Sequence, residues 1–333
     1  MSQKPGTPRV SLRHRPRRNR WTASLRELAR ETRLHPGDFI LPLFVTEGTN
    51  LQVPIPSMPG QFRMSLVKTL ELCKEASDLG ISAISLFPVI PEAKKDKYAK
   101  ESTNDKGLLP NVIQTIKAKV PGLTIMSDVA MDPYSSDGHD GFVSDNGEIV
   151  NDVTLPILAE MAVTQARAGA DIVGPSDMMD GRVGYIRDAL DAAGFEHVGI
   201  LSYAAKYASA FYGPFRQALD SAPRSGDKKT YQMDPANKRE AIREALLDCD
   251  EGADMVMVKP ALAYLDVIHA IREQVNVPVA AYQVSGEYAM IKSAAANGWL
   301  DGDRAMLETL LAIKRAGSDM ILTYFAIEAA RKL

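Results

Sequence analysis

The sequence predicts an α/β protein, a (β/α)8 TIM barrel with an extended basic N-terminal arm, and three observations predict it. From Phe39 onward short apolar runs alternate with longer amphipathic ones, the junctions between them repeat, and polar side chains collect just past the carboxyl ends of the apolar runs. Eight βα units closing on themselves make a barrel whose chemistry sits at those strand ends.

The first 20 residues carry Lys4, Arg9, Arg13, Arg15, Arg17, Arg18 and Arg20 and no acid, which leaves the remainder at minus ten against a net charge of −3. A basic arm on an acidic body binds nucleic acid or phospholipid, or embraces another subunit. Pro5, Pro8 and Pro16 interrupt the arm and no aromatic residue precedes Trp21. The stacking groups of a single-strand binder are therefore missing, and subunit wrapping is the expectation. The arm and a short helix are placed in 1–34, the barrel in 35–333.

The strands follow as the eight apolar runs 39–45, 83–87, 123–129, 171–174, 198–203, 255–258, 279–282 and 320–323. Helices are read between them at 65–79, 155–168, 238–249 and 305–316. Ala168-Gly169-Ala170-Asp171, Glu251-Gly252-Ala253-Asp254 and Ala316-Gly317-Ser318-Asp319 each put glycine where a helix ends and a strand begins. An open doubly wound sheet is the rival. No Gly-x-Gly-x-x-Gly or Gly-x-x-x-x-Gly-Lys turn follows a strand to support it.

Two lysines stand at comparable places. Lys259 closes the run Met255-Val256-Met257-Val258, and Lys206 follows Ser202-Tyr203-Ala204-Ala205 just past the fifth run. Most lysines lay their stems on apolar neighbours and reach solvent with the charge. At the mouth of a buried strand, desolvation instead favours the free amine, the form that attacks a carbonyl to make a Schiff base. Two such lysines point to two carbonyl substrates. Asp128, Ser285 and Tyr324 fall at the ends of the third, seventh and eighth strands, on the same face.

Two connections on that face are long. Segment 130–151 carries Asp132, Asp137, His139, Asp140 and Asp145 among glycines, either a solvated loop or an oxygen-ligand site for a hard cation. Segment 211–235 carries Arg216, Arg224, Lys228 and Lys229, either a surface loop or a lid that clamps carboxylates. Cys73 and Cys249 lie in separate helical patterns, so neither a disulfide framework nor a cysteine zinc site is expected. No apolar stretch approaches a bilayer span and no secretion signal opens the chain, from which a cytoplasmic enzyme without membrane or nucleic-acid partners is expected.

Several long segments resemble the porphobilinogen synthase (5-aminolevulinate dehydratase) family. They are Pro175-Ser176-Asp177-Met178-Met179-Asp180-Gly181-Arg182, Ser202-Tyr203-Ala204-Ala205-Lys206-Tyr207-Ala208-Ser209, Phe211-Tyr212-Gly213-Pro214-Phe215-Arg216, Met257-Val258-Lys259-Pro260 and Tyr282-Gln283-Val284-Ser285-Gly286-Glu287-Tyr288. The resemblance implies condensation of two 5-aminolevulinate molecules to porphobilinogen with loss of two waters, a hydro-lyase step towards haem and other tetrapyrroles. It implies Schiff bases at Lys259, on the propionate side, and at Lys206, on the acetate side. Arg216 and Lys228, assisted by Gln232, match positions that bind one carboxylate, and Ser285 and Tyr324 those that bind the other. Lys228 replaces the arginine of many relatives, a point charge in place of a fork. Asp128 matches an acid near the amines and is the candidate for proton transfer.

Zinc-using members carry three cysteines where this chain has Ala130, Asp132 and Asp140. Hard carboxylates replace soft thiolates, so the resemblance implies an aspartate-rich branch responsive to magnesium or potassium, without zinc. Asp132 and Asp140 are then candidate ligands for magnesium or potassium. Glu244 matches an allosteric magnesium ligand; read alone, it is a helical glutamate paired one turn away. The family is typically octameric through its arms. A class I aldolase, which needs one lysine, and an arm-mediated nucleic-acid binder are the alternatives.

Overall fold

The computed structural model describes residues 11–333, so Lys4, Pro5, Pro8 and Arg9 of the arm lie outside the described residues. The described chain forms two compact units that divide between Arg33 and Leu34. Within the first, a 3-10 helix Pro16–Arg20 precedes a helix Ala23–Leu28, whose first turn is capped by Thr22 accepting from the Leu25 N–H. Trp21 and Leu28 are 73% and 82% exposed, apolar surface that the arm does not bury.

The second unit is a closed barrel of parallel strands. In chain order they are β1 (Phe39–Thr46), β2 (Ala83–Val89), β3 (Thr124–Val129), β4 (Ile172–Pro175), β5 (Gly199–Lys206), β6 (Met255–Lys259), β7 (Val279–Gln283) and β8 (Met320–Thr323). Each pairs with the next, and β8 returns to β1 through Phe39 opposite Ile321 and Ile40 opposite Leu322. Every expected run is a strand. A short antiparallel pair, Gln52–Pro54 with Phe62–Met64, extends β1 at one end and was not expected.

The repeated junction has a physical reason beyond its glycine. Gly169 and Gly252 take φ of 103° and 104°, the left-handed turn that ends a helix without a Cβ clash. The aspartate two residues later then grips the neighbouring strand. Asp171, Asp254 and Asp319 each accept the backbone N–H of Ile125, Ile200 and Val279 at 2.9, 2.7 and 2.9 Å, while their own N–H groups bond the carbonyls of those same residues. Three adjacent strand pairs are stapled at their amino ends.

Helices Leu66–Asp78, Leu108–Lys119, Asn151–Ala168, Arg182–Ala192, Arg239–Asp250, Leu265–Arg272 and Gly302–Arg315 lie between successive strands. Some boundaries differ from expectation: the helix expected at 305–316 spans Gly302–Arg315. The third helix starts at Asn151 and runs through Pro156. Part of segment 211–235 is not loop: Ala210–Tyr212 and Gly213–Leu219 are helical turns, with Pro214 in the first turn, where its missing N–H costs nothing.

Candidate active site

Lys206 is the last residue of β5 and Lys259 the last of β6, and the two are register partners on adjacent strands. β5 therefore runs three residues beyond the apolar stretch that marked it. Both amines are buried, with 6% and 5% of each residue exposed. Their surroundings differ.

The Lys259 Nζ lies 5.1, 5.3, 5.0 and 4.7 Å from the ring centroids of Tyr203, Tyr212, Phe215 and Tyr282. Burial, with Lys206 adding to it, pushes its pKa down to about 7. A neutral nucleophile is thus available near neutrality, and the ring faces suit the protonated imine that follows. The cage was not read from sequence. Its only signal is the set Tyr203, Tyr212 and Phe215 around Lys206, and Tyr282 gives none.

The Lys206 Nζ donates to the Ser176 carbonyl and lies 3.3 Å from Asp140 Oδ2. The expectation of two equivalent free amines is thereby corrected: Lys206 is ion-paired, because segment 130–151 folds inward and delivers a carboxylate to it. Asp128, in β3, is buried and its Oδ1 has no hydrogen-bond partner among the described residues. Burial, and next Asp132, raise its pKa to about 7, against the pull of Lys206 and Lys259. Its carboxylate is not spent on backbone hydrogen bonds, unlike that of a structural acid.

Asp140 also receives Lys228 Nζ at 2.8 Å, and Asp132 lies 3.5 Å from the same nitrogen. Burial opposes ionisation of Asp140, but Lys206 and Lys228 outweigh it and hold its pKa below the ordinary carboxylate value. Lys228 itself is raised: burial lowers it, and Asp140 and Asp132 more than reverse that. The Nζ atoms of Lys206 and Lys228 stand where a cation at Asp132 and Asp140 would bind. Among the described residues no group of three or more His, Cys, Asp or Glu side chains converges on a point. The donor set does not fit a metal in this arrangement, which corrects the expectation of magnesium or potassium in this loop.

Of the remaining candidates, Gln232 is buried, with Nε2 3.5 Å from Asp140 Oδ2 and Oε1 unpartnered among the described residues. Arg216 is half-buried, raises the positive potential at Lys228, and its guanidinium has no ion pair or hydrogen bond among the described residues. Lys228 points inward while Arg224 and Lys229 stay outside, paired with Glu92 and Asp227. His139 ties the two long segments together, 3.0 Å from the Tyr231 hydroxyl and 2.9 Å from the Ser225 carbonyl.

On the other side, Ser285 opens the helix Ser285–Ala296, accepts the Phe215 N–H at 3.0 Å and sits beside Gly286, where an added Cβ would lie 2.5 Å from the Phe211 carbonyl oxygen. The Tyr324 hydroxyl meets that of Tyr282 at 2.9 Å. Glu244 shares a cavity with Gln232 and His139 of this group. Half-buried on Arg239–Asp250, it lines a cavity of about 1090 Å³ with Asp180 and Glu240. Burial, and then Asp248, raise its pKa, with Asp180 and Glu240 adding to the shift.

Lys259 and Asp128 titrate as an interacting set, both at about 7. Below that pH Lys259 holds its proton and cannot attack a ketone, so kcat/KM is expected to rise with pH through a midpoint near 7. A pH–rate profile flat from pH 6 to 8 would rule out the amine as nucleophile, given a value of about 7.

A family model described as Delta-aminolevulinic acid dehydratase matches residues 13–332. The chain belongs to the delta-aminolevulinic acid dehydratase family. It is 54% identical over 330 residues to the chloroplastic Delta-aminolevulinic acid dehydratase of Glycine max, covering 99% of this chain and 80% of that one. With that of Physcomitrium patens it shares 56% over 332 residues, 98% and 77% of the two chains. The crystal structure of the Toxoplasma gondii enzyme in complex with the reaction product porphobilinogen superposes with a TM-score of 0.95 at 52% identity, over 97% of this chain and 92% of that one.

The activity is that of the dehydratase family, a hydro-lyase condensation of two 5-aminolevulinate molecules to porphobilinogen in porphyrin biosynthesis. The cytoplasmic expectation is overturned, because the matching plant dehydratases are named chloroplastic. That expectation rested on the lack of a secretion signal and of a bilayer-length apolar run, and neither distinguishes cytoplasm from a plastid.

Proposed function

We propose that this dehydratase captures its two substrates as Schiff bases, one on Lys259 and one on Lys206, and joins them at the carboxyl ends of β5 and β6. The supporting observation is the register that sets the two lysines side by side, with Lys259 depressed towards a free amine. The Lys259 amine attacks the ketone of one 5-aminolevulinate and water leaves as the imine forms. Lys206 does the same to the second. Carbon–carbon and carbon–nitrogen bonds then close the pyrrole and release both lysines. Asp128, with a free Oδ1 and a pKa of about 7, moves protons in these steps.

Arg216, Lys228 and Gln232 bind the carboxylate of the Lys206 substrate, and Ser285 and Tyr324 that of the Lys259 substrate. Incubation with 5-aminolevulinate and borohydride followed by peptide mapping tests the scheme. Label is expected on these lysines, and label on neither Lys206 nor Lys259 defeats it.

Enzymes of this family depend on metal in general. For this chain we place magnesium at Glu244, which shares a cavity with Asp180 and Glu240 and whose pKa burial and Asp248 raise against the pull of Arg182; one oxygen ligand plus water satisfies the ion. Zinc has no thiolate set in segment 130–151 to hold it. Porphobilinogen formation in chelator, with magnesium and zinc added back separately, checks the choice; restoration is expected with magnesium alone.

We read the assembly as a homo-octamer formed through neighbouring arms, and the exposed Trp21 and Leu28 support a contact there. If magnesium at Glu244 biases that assembly allosterically, light scattering in magnesium and in chelator reports different sizes. Identical sizes exclude the regulatory role.

A further inference from the structure

β5 holds one residue more than β6 between matched positions, since Ser202 pairs with Val256 whereas Ala205 pairs with Val258. Faces alternate along a strand, so an unbroken register from Ser202 would set Ala205 opposite Lys259 and turn Lys206 towards the helices. The bulge returns Lys206 to the inner face. A bulge also takes backbone groups out of the ladder, and they need other partners.

Arg182 supplies one. Only 2% exposed, it donates from Nη2 to the Tyr203 carbonyl at 3.3 Å and to the Ser202 hydroxyl at 3.0 Å, both at the register break. Asp248 holds the guanidinium through two oxygens, each at 3.2 Å, and also accepts the Ser202 hydroxyl. The Arg182 Nε lies 3.8 Å from Asp177, whose neighbour Ser176 offers its carbonyl to the Lys206 amine. One buried guanidinium thus touches both the bulge and the turn that receives the amine.

We propose that Arg182, fixed by Asp248, is a positioning residue that holds the β5 bulge and so keeps Lys206 on the substrate face beside Lys259. The kinetic consequence rests on the two-lysine reading, whereas the placement does not. Reductive methylation of the holoenzyme with formaldehyde and cyanoborohydride, read by peptide mass spectrometry, reports each amine separately with a probe small enough to enter. In Arg182→Met/Asp248→Leu, which removes both charges together, labelling of Lys206 relative to Lys259 is expected to fall at least about fivefold.

A general loosening of the fold would not move that ratio in this direction, and an unchanged ratio overturns the proposal. If the double variant does not fold, Ser202→Ala keeps both charges and carries the same comparison, with a fall of roughly twofold expected and no fall overturning it. Deleting Ala204 from the double variant removes the surplus residue and is expected to restore the ratio; failure to do so also counts against the proposal. A fallen ratio with porphobilinogen formation intact would retain the placement and refute the two-lysine mechanism instead.

Discussion

Replacing Lys259 by methionine is expected to lower kcat by roughly 10⁴-fold or more, the usual result of deleting a covalent nucleophile. Methionine nearly matches the length of the stem and fills the space among Tyr203, Tyr212, Phe215 and Tyr282 without a charge. The parent keeps an amine there whose protonated form burial disfavours. The variant should consequently be no less stable than the parent, which separates lost chemistry from lost fold. Porphobilinogen formation and thermal unfolding measured on the same sample check both parts. Activity within about tenfold of the parent would exclude a covalent role for this residue.

The second large effect is on stability. Asp140→Asn keeps the shape but leaves Lys206 without its carboxylate, and Lys228 with only Asp132 at 3.5 Å. Breaking a buried ion pair from one side costs about 3–5 kcal/mol. The folded pKa of Asp140 lies below its ordinary value, so its contribution is complete above the unfolded value of about 4 and disappears as pH falls further. The gap between parent and variant should therefore be full at neutral pH and narrow only under acid conditions. Removing Asp140 also takes away the larger of the two carboxylate effects that raise the Lys228 pKa, and Asp132 remains to oppose burial. Denaturant unfolding with and without chelator decides between ion pair and metal ligand: an effect that vanishes in chelator would contradict the pairing.

How much of this was readable in advance depended on whether the signal was local. Buried parallel strands are apolar along their whole length, so β1 to β8 stand out from the chain, and glycine at a helix end marks a junction wherever it occurs. The staples by Asp171, Asp254 and Asp319 were visible as a repeat, yet their function required knowing which strands lie side by side. The bulge has no local signature, since Ala204 and Ala205 suit any position in a strand. For the same reason β5 was read three residues short of Lys206.

Within the site, the lysines declared themselves as charges ending apolar runs. The partners of Lys228 did not, because Asp132 and Asp140 lie 96 and 88 residues before it in the chain. An acidic loop reads alike whether it meets a metal or an ammonium group. The helix Gly213–Leu219 was hidden by its flanking glycine and proline, which signal loop as readily as a helix start.

The aspartate grips at the strand entrances divide labour between the two rims. Each clamps an amide and a carbonyl of the adjoining strand, so the rim remote from the lysines serves as a rigid footing. Long insertions at the opposite rim, such as 130–150 and 220–238, can then be reshaped by the demands of substrate without transmitting the change to the footing.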